Sequence, residues 1–183
     1  MTERPDKRAI ASWAFYDFAN TIFSMNVISL YFALWVTVDH GGQDILYSIA
    51  LSGSMLAVAI SAPVFGTISD QTGKRRFPLT LLTIFSVLTT ALIGETEQLW
   101  VGLLLFVIAN YCYQSALVFY DGMLPSVALH SNVGMISGYG VALGYIGSIA
   151  GLSLVEPFVT DGGRSSAFLP TAILFLVFAI PCF

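Results

Sequence analysis

Six long stretches of this sequence contain no Asp, Glu, Lys, Arg or His and consist largely of apolar residues. They have 16 to 24 residues each and occupy positions 18–38, 45–68, 77–94, 99–119, 135–155 and 168–183. A helix needs about 20 mostly apolar residues to cross a hydrocarbon core of about 30 Å. Strands of a membrane β-barrel would instead alternate apolar and polar side chains. The sequence therefore predicts an all-α membrane protein built as a bundle of six transmembrane helices.

The first helix is expected to start before its uncharged stretch, near Ile10, so that it covers about 10–38 and includes Asp17. The last stretch is short, contains Pro170 and Pro181, and stops at Phe183 without a polar flank. A chain end inside the bilayer would leave backbone carbonyls without partners. We therefore expect a longer protein whose sixth helix is interrupted here. A short but complete final helix is the alternative.

Composition excludes several classes of function. Only 10% of the 183 residues are charged, against about a quarter in soluble domains. A net charge of −4 with seven Lys and Arg argues against a nucleic-acid partner. The two histidines, His40 and His130, lie in connections predicted on opposite faces of the membrane, and no phosphate-binding loop is present. We expect no cofactor, no metal and no enzymatic activity.

The distribution of positive charge predicts the orientation. Cytoplasmic connections of membrane proteins are enriched in Lys and Arg. Six of the seven cations come to one side if the N-terminus is cytoplasmic: Arg4, Lys7, Arg8, Lys74, Arg75 and Arg76. We predict that orientation, in a plasma or inner membrane, or in a vacuolar membrane if the source is eukaryotic. Trp13, Tyr16 and Trp35 are interpreted as anchors at the membrane interfaces.

The second connection contains the most specific motif. Its spacing is G-x-x-x-D-x-x-G-[KR]-[KR], and we call its residues the gate motif: Gly66, Asp70, Gly73, Lys74, Arg75 and Arg76. Gly66 would allow close approach of a neighbouring helix, and Gly73 would allow a tight turn. Asp70 would pair with a cation or a helix N-terminus, and the cations would hold the connection at an anionic lipid surface. The alternative is a basic connection that only sets topology.

Polar residues form one stripe on each of two helices. At 100° per residue, Asp17, Asn20, Ser24 and Tyr31 fall within about 60°, and Asn110, Gln114 and Asp121 within about 40°. Carboxylates and amides are costly in hydrocarbon, so both stripes should turn away from lipid. We predict that helices one and four line a solute path, with Asp17 and Asp121 in gating or proton coupling. Interhelical hydrogen bonds, or hydrated interfacial carboxylates, are the alternatives.

Other helices are interpreted by the same periodicity. Helices three and six lack amides and carboxylates and are expected to face lipid, while Asn26 points away from the stripe and should be structural. Helix five places glycines on one stripe, where backbones can touch: Gly140, Gly144, Gly147 and Gly151. Glu156 is expected to pair with Arg164.

The gate motif resembles the signature between helices two and three of the major facilitator superfamily of secondary transporters. Segments 11–20, 119–125 and 138–147 resemble the autophagy-related vacuolar effluxer branch of that superfamily. The resemblance implies a twelve-helix fold of which this chain is the N-terminal half. It also implies a cavity lined by helices one and four, helix five packed against the missing C-terminal half, an aspartate in a charge cluster that locks one state, and export of amino acids or similar small solutes.

Two departures from the superfamily pattern concern coupling. Gln71 stands where Arg is common, and helix four contains no Arg, so the usual proton-coupling arrangement is not implied. Two further readings stay open. One alternative to the transporter half is a non-transporting fragment. The other is a six-helix subunit that dimerises through the Gly140–Gly151 face, and Gly144→Leu should then abolish the dimer.

Overall fold

A computed structural model describes residues 7–128 and 132–183; Arg4 and His130 lie outside this range. Within it the chain forms six long helices, each long and apolar enough to cross a membrane. They are α1 Lys7–Asp39, α2 Asp44–Thr72, α3 Arg76–Glu95, α4 Leu99–Val127, α5 Val133–Gly162 and α6 Arg164–Cys182. The described residues contain no strand. The predicted all-α six-helix bundle is confirmed.

Several helices extend beyond the apolar stretches that predicted them. α4 continues past residue 119 to Val127, and α5 continues to Gly162. Helical hydrogen bonds need no apolar side chains, so a helix that leaves the hydrocarbon region can continue in polar surroundings. Gly73 (φ 64°) and Gly163 (φ 79°) follow α2 and α5 in backbone conformations that favour glycine. The connections are correspondingly short.

The first helix is irregular. Ser24–Tyr31 and Trp35–Asp39 form wide π-helical turns within α1. Such turns rotate the chain less per residue than an α-helix and disturb the regular hydrogen-bond ladder. The Tyr47 hydroxyl of α2 donates a hydrogen bond of 2.6 Å to the Ile28 carbonyl in the first of these segments. The irregular part of α1 is thereby tied to α2.

Helix packing follows a repeated pattern. α1 packs on α5 and α6, α4 packs on α2 and α3, and α3 contacts α6. Exchanging α1 with α4, α2 with α5 and α3 with α6 leaves this pattern unchanged, as expected for two inverted three-helix repeats. α2 and α5 bury the smallest share of their surface. α3 and α6 each expose an apolar face, and that these faces meet lipid stays a prediction.

The interior is rich in aromatic side chains. Phe32 of α1 and Phe106 of α4 stack with ring centroids 4.1 Å apart. The Trp35 ring fills the space that a side chain at Gly102 would need, and its indole N–H donates to the Ser165 hydroxyl at 3.1 Å. These contacts join α1, α4 and α6 in the end of the bundle opposite the connection between α2 and α3.

Candidate functional site

The two ends of the bundle differ in charge. Arg8 and Arg76 line one groove, and Lys74, Arg75 and Arg76 line a second, adjoining groove of about 770 Å³ beside Ala9. We call this the basic end. At the opposite end Arg164 pairs with Asp39, which joins the start of α6 to the end of α1. The expected pair between Glu156 and Arg164 was therefore wrong, because Asp39 is the carboxylate that the short turn after α5 brings to Arg164.

Three aromatic residues connect α1 and α4 near the basic end, and we call them the aromatic cluster: Trp13, Tyr16 and Tyr120. The rings of Trp13 and Tyr120 stack with centroids 4.7 Å apart, and the Trp13 indole donates to the Tyr120 carbonyl at 3.3 Å. Tyr16 lies 4.9 Å from Tyr120 and is hydrogen-bonded to the Thr83 hydroxyl at 2.8 Å. The cluster links α1, α3 and α4.

The predicted role of Trp13, Tyr16 and Trp35 as membrane-interface anchors was wrong, since all three side chains are buried in the bundle. Aromatic residues near helix ends are ambiguous in sequence because an anchor and a core residue have the same composition. For Trp13 and Tyr16, the signal that distinguishes the two cases is their position in segment 11–20, beside Asp17 and Asn20.

Asp17 lies within reach of both α4 and α5. Its Oδ2 faces α5 at Gly140, where an added methyl carbon would lie 3.1 Å from it. The Asn20 side chain is close enough to the Asp17 carboxylate to interact with it, and the exposed Asp121 of α4 lies within electrostatic range of Asp17. The ion pairs of the described residues involve neither Asp17 nor Asp121. The two carboxylates thus lie within electrostatic range of each other.

Ser24 continues this region one turn further along α1. The Tyr113 side chain of α4 interacts with the Ser24 side chain, and its hydroxyl donates to the Asn20 carbonyl at 3.5 Å. Gln114, the next residue on α4, is half-buried. The structure therefore places Asp17, Asn20 and Ser24 beside α4, and a path role for them and for Gln114 stays a prediction.

The other two predicted path residues lie elsewhere. Asn110 is buried and donates a 2.7 Å hydrogen bond to the Ser54 hydroxyl of α2. Tyr31 packs with Val155 of α5 and Ala167 of α6. The 100° periodicity fails for Tyr31 because the wide turns of Ser24–Tyr31 intervene. Asn110 matches the alternative of an interhelical hydrogen bond, and the seven predicted residues do not form one continuous stripe.

Asn26 has the structural surroundings expected of it. Its amide donates to the Gly151 carbonyl at 3.2 Å and to the Thr171 hydroxyl at 3.3 Å. The residue is fully buried between α1, α5 and α6.

The gate motif forms a charged turn. Asp70 lies in the last turn of α2, and its carboxylate accepts a hydrogen bond of 3.2 Å from Arg75. Arg75 also donates to the Ser69 hydroxyl at 3.0 Å, and Gly73 makes the left-handed turn between them. Gly66 has no neighbour within 4 Å of the position of a methyl group. Its expected close approach to another helix is therefore absent within the described bundle, because that face of α2 contacts no helix.

The four glycines of α5 face α1. An added methyl group at Gly140 would lie 2.8 Å from the Trp13 ring, and one at Gly151 would lie 3.0 Å from Ile22; one at Gly147 would collide with the Phe18 backbone. The expectation that this stripe packs against a missing half was wrong, and static packing within this bundle is what the structure shows. A dimer through the Gly140–Gly151 face is excluded for the same reason: α1 covers that face.

Six helices that are each long and apolar enough to cross a membrane define an integral, multi-pass membrane protein. The family model described as vacuole effluxer Atg22 like matches residues 44–134. An uncharacterised major-facilitator-type transporter of Bacillus subtilis is 29% identical over 93% of this chain and 44% of its own length. These matches confirm the resemblance: the chain is similar to the vacuole effluxer Atg22-like family model and to a major-facilitator-type transporter.

An uncharacterised protein of Aquifex aeolicus is 29% identical over 99% of this chain and 47% of its own length. The chain thus spans about half the length of these two curated relatives. No solved structure matches the chain. Among residues 7–128 and 132–183, no group of three or more His, Cys, Asp or Glu side chains is placed to hold a metal ion.

Proposed function

We propose that the protein acts as a secondary active transporter that exports small solutes, amino acids or similar molecules, by alternating access. The observation that carries the proposal is that Asp17 of α1 interacts with Asn20 and lies within electrostatic range of Asp121 of α4, in a chain similar to transporters. Carboxylates and amides within membrane-spanning helices are costly, and they mark solute or ion pathways. Similarity to transporters makes a transporter a better interpretation than an enzyme.

Alternating access needs a partner surface against which this bundle moves. α2 and α5 expose apolar side chains, among them Ile49 and Ile60 on α2 and Tyr145 and Ile149 on α5. The relatives are about twice as long as this chain. We propose that a second, C-terminal six-helix half covers these faces, and that solute passes between the two halves.

The gate motif would control one end of the path. The Asp70–Arg75 pair is exposed, and the Asp70 side chain is 77% accessible. Exposed ion pairs contribute little to stability, so this pair can exchange partners at low cost when the second half approaches. With the N-terminus in the cytoplasm the gate motif faces the cytoplasm, and Lys74 and Arg76 lie at the anionic lipid surface.

Protons are the proposed coupling ion. The support for this is the electrostatic interaction of the two titratable carboxylates Asp17 and Asp121; the coupling would differ from the usual arrangement of the superfamily, because α4 contains no arginine. The test is efflux of labelled alanine from liposomes that contain the purified protein, with and without a pH gradient. Asp17→Asn should reduce the rate at least about tenfold, by removal of a charged interaction. Asp161→Asn, an exposed carboxylate at the opposite end, is the matched control. Equal rates for both variants would refute the assigned path, and equal rates with and without the gradient would refute proton coupling.

A second candidate follows from the exposed faces of α2 and α5. Two copies of this six-helix chain would pair through those faces and replace the two halves. The mass of the purified protein in detergent distinguishes the two arrangements. A monomer that moves no solute would instead support a non-transporting fragment.

A further inference from the structure

The three segments that resemble the effluxer branch meet around one side chain. Asp17 belongs to segment 11–20, and its carboxylate lies against Gly140 of segment 138–147. Tyr120 of segment 119–125 stacks on the Trp13 ring, which also faces Gly140, and Asp121 beside it lies within electrostatic range of Asp17. Residues more than a hundred positions apart are therefore brought to one place, at the level of the aromatic cluster.

Two oxygen atoms at this place are buried and have no hydrogen-bond partner in the described chain: Asn20 Oδ1 and the Tyr120 hydroxyl. Asn20 is 9% exposed and Tyr120 is 3% exposed. Native proteins satisfy nearly all such atoms with protein or bound partners. Asn20 lies one helical turn after Asp17, and its side chain is close enough to interact with that carboxylate.

We propose that Asp17, Asn20, Tyr120 and Asp121 form one binding site for a monovalent cationic group, either the ammonium group of a solute or a sodium ion. The inference rests on the proposed transport function, since it names the ligand chemistry of the same site. Two carboxylates supply the negative charge, and the amide and phenol oxygens supply neutral acceptors. An ammonium group has three N–H donors for such acceptors, and hard oxygen ligands also suit a sodium ion. The rings of the aromatic cluster favour a cation nearby.

The glycines of α5 position the carboxylate in this site. A methyl group at Gly140 would lie 3.1 Å from Asp17 Oδ2 and 2.8 Å from the Trp13 ring. At Gly144 it would lie 2.8 Å from the Thr21 hydroxyl and 3.6 Å from Asp17 Oδ2. A side chain at either position would displace Asp17 or the residues that flank it. Gly138 on the same helix has nothing within 4 Å, so it provides a control.

The binding test measures the thermal unfolding midpoint of the purified protein in detergent with ethylammonium chloride, sodium chloride or tetramethylammonium chloride. The last has no N–H donor and controls for ionic strength. Ligands that bind the native state raise the midpoint. We expect the midpoint in ethylammonium or sodium chloride to be higher than the midpoint in tetramethylammonium chloride. Comparing ethylammonium with sodium then shows whether the site binds an ammonium group or a sodium ion. Asp17→Asn should weaken the apparent affinity about tenfold or more, and Asp161→Asn should leave it unchanged.

Tyr120→Phe keeps the stacked ring and removes only the unpartnered hydroxyl. Without added cation, we expect this variant to be at least as stable as the wild type, because a buried unsatisfied group is removed. With added cation, its unfolding midpoint should rise less than that of the wild type. Gly140→Ala should also weaken the response, and Gly138→Ala should not. A purely structural role for these residues would leave the cation response unchanged.

The site is overturned if neither cation raises the midpoint above tetramethylammonium, or if Asp17→Asn responds like Asp161→Asn. Failure of the transport proposal has a different signature. Alanine efflux that persists without a cation response would refute the site and keep transport. A cation response in a protein that moves no solute would refute transport and keep the site.

Discussion

The seam between α1 and α5 and the seam between α4 and α2 correspond to each other in the repeated packing pattern, but different contacts hold them together. α5 meets α1 with glycines, and the carbonyl of Gly151 accepts a hydrogen bond from Asn26. α2 meets α4 with polar side chains: Asn110 is bonded to Ser54 and Tyr111 to Ser61. Missing side chains allow backbone contact in the first seam, whereas side-chain hydrogen bonds span the second. We infer that the first seam tolerates added volume poorly and the second more easily.

The largest loss of stability is expected for a substitution at Gly147. A methyl group there would collide with the Phe18 backbone, which cannot rotate away as a side chain can. We expect Gly147→Ala to lower the free energy of unfolding by about 3 kcal/mol, the upper part of the usual range for overpacking. Reversible unfolding in mixed micelles measures it. Gly134→Ala on the same helix, where the space is open, should change stability little. Similar losses for the two variants would show that α1 and α5 are not in backbone contact.

The second seam should show a weaker but specific coupling. The Asn110 amide donates to Ser54, which itself donates to the Leu51 carbonyl at 2.7 Å. A double-mutant cycle with Asn110→Ala and Ser54→Ala should give a coupling energy of about 0.6 to 1.7 kcal/mol, as for interhelical hydrogen bonds in membranes. The same cycle with Asn110→Ala and Ser48→Ala, on the exposed start of α2, should give none. A coupling energy of zero in both cycles would show that this hydrogen bond does not stabilise the contact between α4 and α2.

These two seams also show what the sequence can predict. The six helices follow from uncharged length alone, because the bilayer sets one minimum for every span. The glycine stripe was predicted to pack closely, and it does. Its partner was predicted wrongly, since a stripe of glycines indicates contact without indicating which helix makes it.

The candidate site was less predictable than the fold. Asp17 and Asn20 were predicted as path residues because a polar residue in an apolar helix is conspicuous, and that role stays a prediction. Tyr31 was misplaced because nothing in Ser24–Tyr31 marks π-helical turns. Tyr120 and Gly140 were missed as neighbours of Asp17, since their proximity arises from helix packing across more than a hundred residues.

A glycine in the second seam sharpens the comparison. A methyl group at Gly122 of α4 would lie 3.3 Å from the Ser69 hydroxyl and 3.4 Å from Arg75 Nε. Both atoms belong to side chains that can move by a few tenths of an ångström, and alanine is the better helix former by about 1 kcal/mol. We expect Gly122→Ala to change the free energy of unfolding by less than about 0.5 kcal/mol, as for tolerated substitutions. A loss as large as that of Gly147→Ala, measured in the same micelles, would abolish the distinction between the seams.

The smallest effect on stability is expected at the gate motif, where α2 ends beside α4. Asp70 is largely exposed, and its pair with Arg75 spans 3.2 Å. Exposed ion pairs contribute about 0.2 to 1 kcal/mol, so Asp70→Asn should lower the free energy of unfolding by less than about 0.5 kcal/mol. Ser69 keeps its own bond to Arg75 in that variant, so the turn should persist. A large loss of alanine efflux with this small loss of stability would place the function of Asp70 in the transport cycle. A matching loss in both would make Asp70 a structural residue of the second seam.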